Sequence, residues 1–296
     1  MSSAERRALA ERSPPATVDP AQRFPGTVVV LAPHMDDEVL ACGGTIALLP
    51  RPERVHVIYA TDGSRSPAPE IPGRHPRPAG LDELRRRESR SALAELGVPA
   101  ANLHFLDLPD GGLRRRGESL ERALAATLEA IRPQHVFAPF RYDRHPDHLA
   151  VNVAIHRLRC DCRCCGDAEL LEYFVYHRSR LLRRGDVRAY VDPSLLLQVE
   201  IGGVAVRKRA ALERFDTQTT RYFPWQTRPI LTPALLDDVC ASPEVFLLDD
   251  DGRPGDQIFP GPTLWLRASH RLEPVLKRAK DRAVAVARHT LGRTRG

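Results

Sequence analysis

The sequence predicts an α/β fold: a Rossmann-like, mainly parallel sheet with helices on both faces and additional C-terminal elements. Three observations carry the prediction. Strand-length apolar runs alternate with longer segments of helical apolar spacing. The runs are apolar at successive positions, as strands covered on both faces are. And 296 residues, 42% of them apolar, suffice for one large core without disulfide staples.

The elements follow in order. Residues 1–23 are polar and Pro-containing and read as a loose N-terminal arm, with 24–296 a single domain and 220–296 its C-terminal extension. Val28-Val29-Val30-Leu31 is a buried-type strand; 38–49 has helical spacing, with Pro50 as its stop. The alternation continues as strand 55–60, helix 81–96 ended by Gly97, strand 103–106, helix 120–131, strand 136–140 and helix 148–158. Residues 64–80 hold five prolines and no periodicity, which reads as a surface loop at a rim or lid. Strands 171–176 and 195–201 and a basic helix 204–215 follow, then an aromatic, Pro-rich stretch 219–233 and a basic helix 272–291.

Composition excludes several classes of function. Lys and Arg outnumber Asp and Glu by 44 to 38, and the excess sits in short Arg blocks such as Arg85 to Arg87 and Arg114 to Arg116, which read as solvated faces. No zinc-finger, helix-turn-helix or aromatic RNA-binding motif accompanies them, so nucleic acid is not an expected partner and a basic scaffold is the lesser reading. No apolar run approaches the ~18 residues of a membrane span, and the first twenty residues hold no signal-type apolar segment. A cytoplasmic protein is the expectation. Of six Cys, four crowd into 160–165 as C-x-C-x-C-C, a spacing that matches no standard zinc site and reads as a reduced loop. Gly43-Gly44 lies inside a helix without a phosphate-loop pattern around it, which reads as close packing against the sheet.

Two segments carry chemistry. Pro33-His34-Met35-Asp36-Asp37-Glu38 stands where the first long strand ends and its helix begins, the edge of an open parallel sheet at which ligands bind. Three acids after a His call for positive charge, from the helix N-terminus and from a divalent cation. Arg141-Tyr142-Asp143-Arg144-His145-Pro146-Asp147-His148 follows strand 136–140, so the topology brings it to the same edge. His and Asp donors without Cys suit zinc with one open coordination position.

At these residues the sequence resembles the LmbE-like, or PIG-L, family of zinc-dependent N-acetyl-sugar deacetylases. Its signatures, a His-x-Asp-Asp-Glu segment after the first strand and a His-Pro-Asp-His segment after a later one, stand intact, with Arg85-x-x-Glu88 and Leu96-Gly97 between them. Lys208 to Gln218 is similar to the family's Lys-containing helix followed by a Gln. Met35 stands where many members have Pro, and Thr61-Asp62-Gly63-Ser64 replaces their Gly-Glu.

The resemblance implies one Zn2+ per chain on His34, Asp37 and His148. It implies Asp36 as general base, His145 as oxyanion stabiliser and acid, Asp147 as the partner orienting His145, and Arg85 and Asp110 as sugar contacts. Tyr142, close to His145 in sequence, is a further candidate for substrate contact. The implied reaction removes acetyl from an N-acetylglucosamine-type amino sugar or its conjugate, with a protonated His145 facing a deprotonated Asp36. Hydrolysis of another small amide or an ester is the alternative within the same chemistry. Self-association of the chain is left open.

Overall fold

The computed structural model describes residues 14–67, 79–143, 145–161, 167–176, 188, 191–249 and 279. Residues 1–13, most of the Pro-rich loop, Cys162, Cys164, Cys165 and the basic helix 272–291 lie outside the described residues.

Eight strands form one sheet: β1 (Ala16–Thr17), β2 (Val28–Ala32), β3 (Val55–Thr61), β4 (Leu103–Leu108), β5 (His135–Pro139), β6 (Glu169–Tyr173), β7 (Leu196–Val199) and β8 (Glu244–Leu248). Their spatial order is β1-β7-β8-β6-β5-β2-β3-β4. All these pairings are parallel except those of β8, which runs antiparallel to both β6 and β7. The sheet is thus mainly parallel, as the alternating pattern predicts.

The apolar run of β2 is continuous because both faces are covered. Val28, Val30 and Ala32 enter one core with helices α2 (Asp37–Leu48), α3 (Leu81–Glu95), α6 (Ala205–Leu212) and α8 (Pro233–Ala241). Val29 and Leu31 enter a second core with α4 (Gly117–Ile131) and α5 (Pro146–Asp161), where Leu120, Leu124 and Leu128 form a stripe at helical spacing.

Two expectations are corrected. The inner end of the presumed loose arm is ordered into the sheet: β1 pairs with Leu197 and Gln198, and Asp19 caps the single turn α1 (Pro20–Arg23). Arg23 then forms a two-pronged ion pair with Glu169 on β6. Likewise the described part of the stretch after residue 220 contributes to the sheet, since β8 lies between β6 and β7. Single-strand apolar content cannot reveal which neighbours a strand will pair with, and β8 finds its own across the chain. The basic helix expected over 204–215 is observed as α6, and a one-turn α7 (Asp216–Thr219) follows it, where Glu88 on α3 accepts from the N–H and hydroxyl of Thr217 at 2.7 Å each.

Parallel strands on either side of β2 lead away in opposite directions, β3 and β4 one way and β5 and β6 the other. The crevice beyond the C-terminal ends of β2 and β5 is therefore the switch point at which such sheets bind ligands. Helix α2 must hold its first turn over that crevice. A buried ion pair clamps it: Lys208 Nζ donates to the Leu40 carbonyl at 2.9 Å and to Glu244 at 2.7 Å, while Glu244 accepts from Gly44 N, Thr45 N and Thr45 Oγ1.

The two glycines make this approach possible. A Cβ on Gly44 would stand 2.4 Å from Ile201 Cγ2 and 3.1 Å from Glu244 Oε1. Gly44→Ala is therefore expected to destabilise the fold by about 1–3 kcal/mol, the usual range for overpacking. Chemical denaturation of the variant measures it; a loss no larger than that of an exposed-helix substitution would show that the clamp does not need the glycine.

Candidate active site

His34 leaves the end of β2 in a turn held from three sides. Thr61 donates from both N–H and hydroxyl to the Pro33 carbonyl, His34 N–H donates to Asp37 Oδ2 at 2.9 Å, and the Arg85 guanidinium donates to the Met35 carbonyl. Within the turn Asp36 adopts φ 142°, a conformation L residues rarely hold. Its N–H is satisfied by Glu38 Oε2 at 3.0 Å, so the strain is enforced by surrounding bonds. The consequence is a division of direction between adjacent carboxylates. Asp37 Oδ2 lies 3.3 Å from His34 Nδ1 and 3.2 Å from His148 Nε2, whereas Asp36 lies 3.6 Å from Arg85 Nη2; both line a cavity of about 630 Å³.

The opposite wall comes from the turn after β5 and the start of α5. His148 is fully buried; its Nδ1 meets Asp143 Oδ2 at 3.2 Å, which directs Nε2 into the crevice. That Nε2 has no hydrogen-bond partner among the described residues, although Asp37 is near. His34, His145 and His148 have ring nitrogens within 4.8 Å of one another, and His34 also meets Asp110 and Asp147 at 3.3 and 3.4 Å.

The groups titrate far from their ordinary values. Burial raises Asp36 to about 7, against the lowering pull of Arg85. Burial works the same way on Asp37, but His148 and His34 overcome it and hold this carboxyl well below the usual range. Burial opposes the charged form of His148 too, yet Asp37 and Asp143 lift it to about 9, and Asp110, Asp147 and Asp37 likewise lift His34. Burial pushes His145 down to about 3, and the other two histidines add to the shift.

This arrangement fits a divalent cation. Carboxylates flank two imidazoles whose protons a cation would displace, the buried His148 Nε2 lacks a hydrogen-bond partner among the described residues, and Asp143 braces the far side of that ring as outer carboxylates do at metal centres. Asp37 lies 3.3 and 3.2 Å from His34 Nδ1 and His148 Nε2, while the sets whose donor atoms all lie within 4.8 Å of one another among the described residues are His34, His145 and His148, and His34, Asp110 and Asp147.

The other expected site residues are placed unevenly. Arg85 and Asp110 line the cavity, but Arg85 also holds the Met35 and Ser66 carbonyls, and Asp110 accepts the Arg65 N–H while facing His34. Asp147 does not present its carboxylate to His145. The carboxylate accepts from Gly111 N at 2.7 Å and Leu113 N at 3.1 Å, and it is the Asp147 N–H that points at His145 Nδ1, at 3.3 Å. Residue 147 stands at the start of α5, where a free N–H is available to cap a neighbour. That contact and the lowering by burial favour a neutral His145 with its proton on Nε2 in the metal-free chain, where the sequence reading has a protonated ring. Tyr142 packs edge-on against Phe140, at 5.8 Å between ring centres, in the cluster with Phe174, Val191 and Leu195, and is not among the described residues lining the cavity.

Sequence reasoning missed Asp143, Glu38 and the Lys208–Glu244 clamp. Asp143 could have been found, since a ligating His usually meets a carboxylate through its second ring nitrogen and Asp143 stands in the same segment as His148. Glu244 had no local signal.

Glu38 is wholly buried, accepts from the Tyr59 hydroxyl at 2.8 Å and is raised by burial to about 8. A carboxyl raised on folding stabilises the fold below its unfolded value, and that contribution is lost as pH rises through the folded one. In metal-free protein, melting temperature should therefore fall between about pH 4.5 and 8, and Glu38→Gln should flatten that slope. Equal slopes in the two proteins would show that Glu38 ionises freely.

Comparison with known proteins follows the same lines. Residues 29–158 match the family model described as PIG-L: GlcNAc-PI de-N-acetylase. A glucosamine-6-phosphate deaminase-like protein of Bacteroides thetaiotaomicron is 25% identical over 183 residues, 46% of this chain. The chain spans only 28% of that relative's length. The N,N'-diacetylchitobiose deacetylase of Pyrococcus horikoshii superposes with a TM-score of 0.55 at 21% identity, covering 88% of this chain and 96% of that one. A deacetylase of the teicoplanin biosynthesis pathway gives 0.55 at 16%, covering 76% and 99%. At these identities the two structures speak for the fold. No helix of the described residues is long and apolar enough to cross a membrane. Residues 29–158, which hold both histidine-aspartate segments and the strands that present them, match the PIG-L family model, and the fold is the α/β fold of LmbE-like proteins.

Proposed function

We propose that the protein is a zinc-dependent hydrolase that removes the N-acetyl group from an N-acetylglucosamine-type amino sugar or its conjugate. The observation that carries the proposal is the different partners of Asp36 and Asp37 in one cavity: one carboxylate turns to two histidines able to hold a cation, and its neighbour, raised to about 7, stands 3.6 Å from Arg85 and clear of those histidines. His34, Asp37 and His148 would hold one zinc ion. Bound there, zinc would acidify a water and polarise the acetamide carbonyl.

The chain's own groups account for the rest. Asp36 takes a proton from the attacking water as the new C–O bond forms, and its raised pKa suits it to hold that proton near neutrality. The same proton is then available to the sugar nitrogen as the C–N bond breaks, so that acetate and a free amine leave. His145, its Nδ1 occupied by the Asp147 N–H, offers Nε2–H to the carbonyl oxygen as negative charge gathers on it. A neutral imidazole can serve as that donor. Arg85 and Asp110, both on the cavity wall, are placed to meet sugar hydroxyls.

Acetate release from N-acetylglucosamine conjugates tests the reading, with metal content followed by elemental analysis. Asp36→Asn should lower kcat by about a hundredfold or more and keep its zinc, because shape is preserved and a base is lost. His148→Ala should lose the zinc itself. Full metal in His148→Ala would remove His148 from the ligand set, and an active Asp36→Asn would remove Asp36 as the base.

A further inference from the structure

Both ring nitrogens of His34 are engaged. Nδ1 lies 3.3 Å from Asp37 Oδ2, on the side assigned above to the cation. Nε2, across the ring, lies 3.3 Å from Asp110 Oδ1 and 3.4 Å from Asp147 Oδ2. His148 repeats the arrangement with its nitrogens exchanged: Nε2 stands 3.2 Å from Asp37, and Nδ1 stands 3.2 Å from Asp143. Each imidazole thus has Asp37 at one nitrogen and an outer carboxylate at the other, and His34 has two such carboxylates.

Asp147 is wholly buried and firmly held. Its Oδ2 accepts from Gly111 N at 2.7 Å and its Oδ1 from Leu113 N at 3.1 Å, so the carboxylate joins the start of α5 to the turn after β4 that carries Asp110. Asp110 is fixed in that turn from both ends: its Oδ2 accepts the Arg65 N–H at 2.9 Å, and its own N–H donates to Asp62 Oδ1 at 3.2 Å. A carboxylate oxygen accepts more than one hydrogen bond, so Asp147 Oδ2 can take the His34 Nε2–H beside the Gly111 N–H.

The two nearby histidines meet different parts of residue 147. His145 Nδ1 faces the backbone N–H at 3.3 Å, whereas His34 Nε2 faces the carboxylate. A change of side chain therefore reaches His34 and keeps the atom that meets His145.

Resting on the zinc ligands proposed above, we infer that the Asp147 side chain is a positioning group for His34 and not for His145: together with Asp110 it receives the Nε2–H of His34 and so keeps Nδ1 as the nitrogen that faces the cation. The family resemblance pairs this side chain with His145 instead. An anionic acceptor on the far nitrogen fixes the tautomer and orientation of a ligating ring and raises its basicity, and losing such an acceptor costs about 10–100-fold in metal affinity. Asp110 also lines the cavity, so its contact with His34 leaves it available to a sugar hydroxyl.

The test reads zinc itself, by competition with a chromophoric chelator on the full chain. Asp147→Asn should weaken zinc binding about 10–100-fold, and the same factor should appear when the change is made in His145→Ala. Nitrogen-15 spectra of the histidine rings in the zinc-loaded wild type should place the His34 proton on Nε2. This second measurement needs no substitution and decides the matter where Asp147→Asn fails to fold. Wild-type zinc affinity in Asp147→Asn, an effect that vanishes in the His145→Ala background, or a His34 proton on Nδ1 would each overturn the inference. So would two zinc ions per wild-type chain of which Asp147→Asn loses one, because Asp147 would then be a ligand. A chain that takes up no zinc overturns the zinc reading and this inference with it, whereas each of the other adverse results leaves that reading standing.

Discussion

Three consecutive carboxylates buried at the start of one helix are the constraint around which the molecule is built. Asp36, Asp37 and Glu38 are each at most 7% exposed. Unpaired charges in such a place would be prohibitive, and a helix N-terminus offsets only part of the cost. Each carboxylate has its own solution. Asp37 is paired with His34 and His148, Glu38 is held by Tyr59 and raised so that a proton can neutralise it, and Asp36 is left between burial and Arg85. Protons on His34 and His148 thus balance the buried carboxylates of the metal-free fold, and a bound cation would take their place.

The helix bearing these groups is stabilised mainly from distant parts of the chain. Lys208 and Glu244 grip the middle of α2 through its backbone, and Glu88 and Gln218 tie α3 and α7 to the Ser66 loop beside Arg85. A buried ion pair is weak evidence of stability, since an apolar pair of similar volume often serves as well. Here it satisfies a helix carbonyl and two helix N–H groups as well, so an apolar replacement would leave α2 backbone atoms unpartnered in the core. The clamp also explains why α6, α8 and β8, outside residues 29–158, stand where they meet the site.

What could be read from the sequence was local. Strand and helix alternate in period, both faces of β2 are apolar, and His34 and His148 follow strands that end at the same edge; short-range patterns suffice for all three. Pairing across long separations leaves no such trace. Val245 to Leu247 form an apolar run like any other, and only the docked β6 and β7 determine that the strand runs antiparallel between them. Asp147 shows the same limit at the scale of one residue. Its place in the His-Pro-Asp-His segment is visible, but whether its carboxylate or its N–H meets His145 depends on how the loop at Gly111 to Leu113 folds back. Tyr142, two residues from the end of its own apolar cluster partner Phe140, follows the packing of that cluster and not its proximity to His145.

Acid and base functions in one site require neighbouring groups whose environments push their pKa values apart. Two carboxylates adjacent in sequence would ordinarily share surroundings and titrate alike. The positive φ of Asp36 prevents this by turning successive side chains to different partners. Asp37 is fixed as an anion by two imidazoles, and Asp36 is held near neutrality in a buried position with one guanidinium at 3.6 Å. The strain at this residue, of order 1–3 kcal/mol for such a backbone, is borne by the bonds from Thr61, Arg85 and Glu38 that lock the turn. The backbone conformation of one residue therefore connects the stability of the fold to the chemistry proposed for its site.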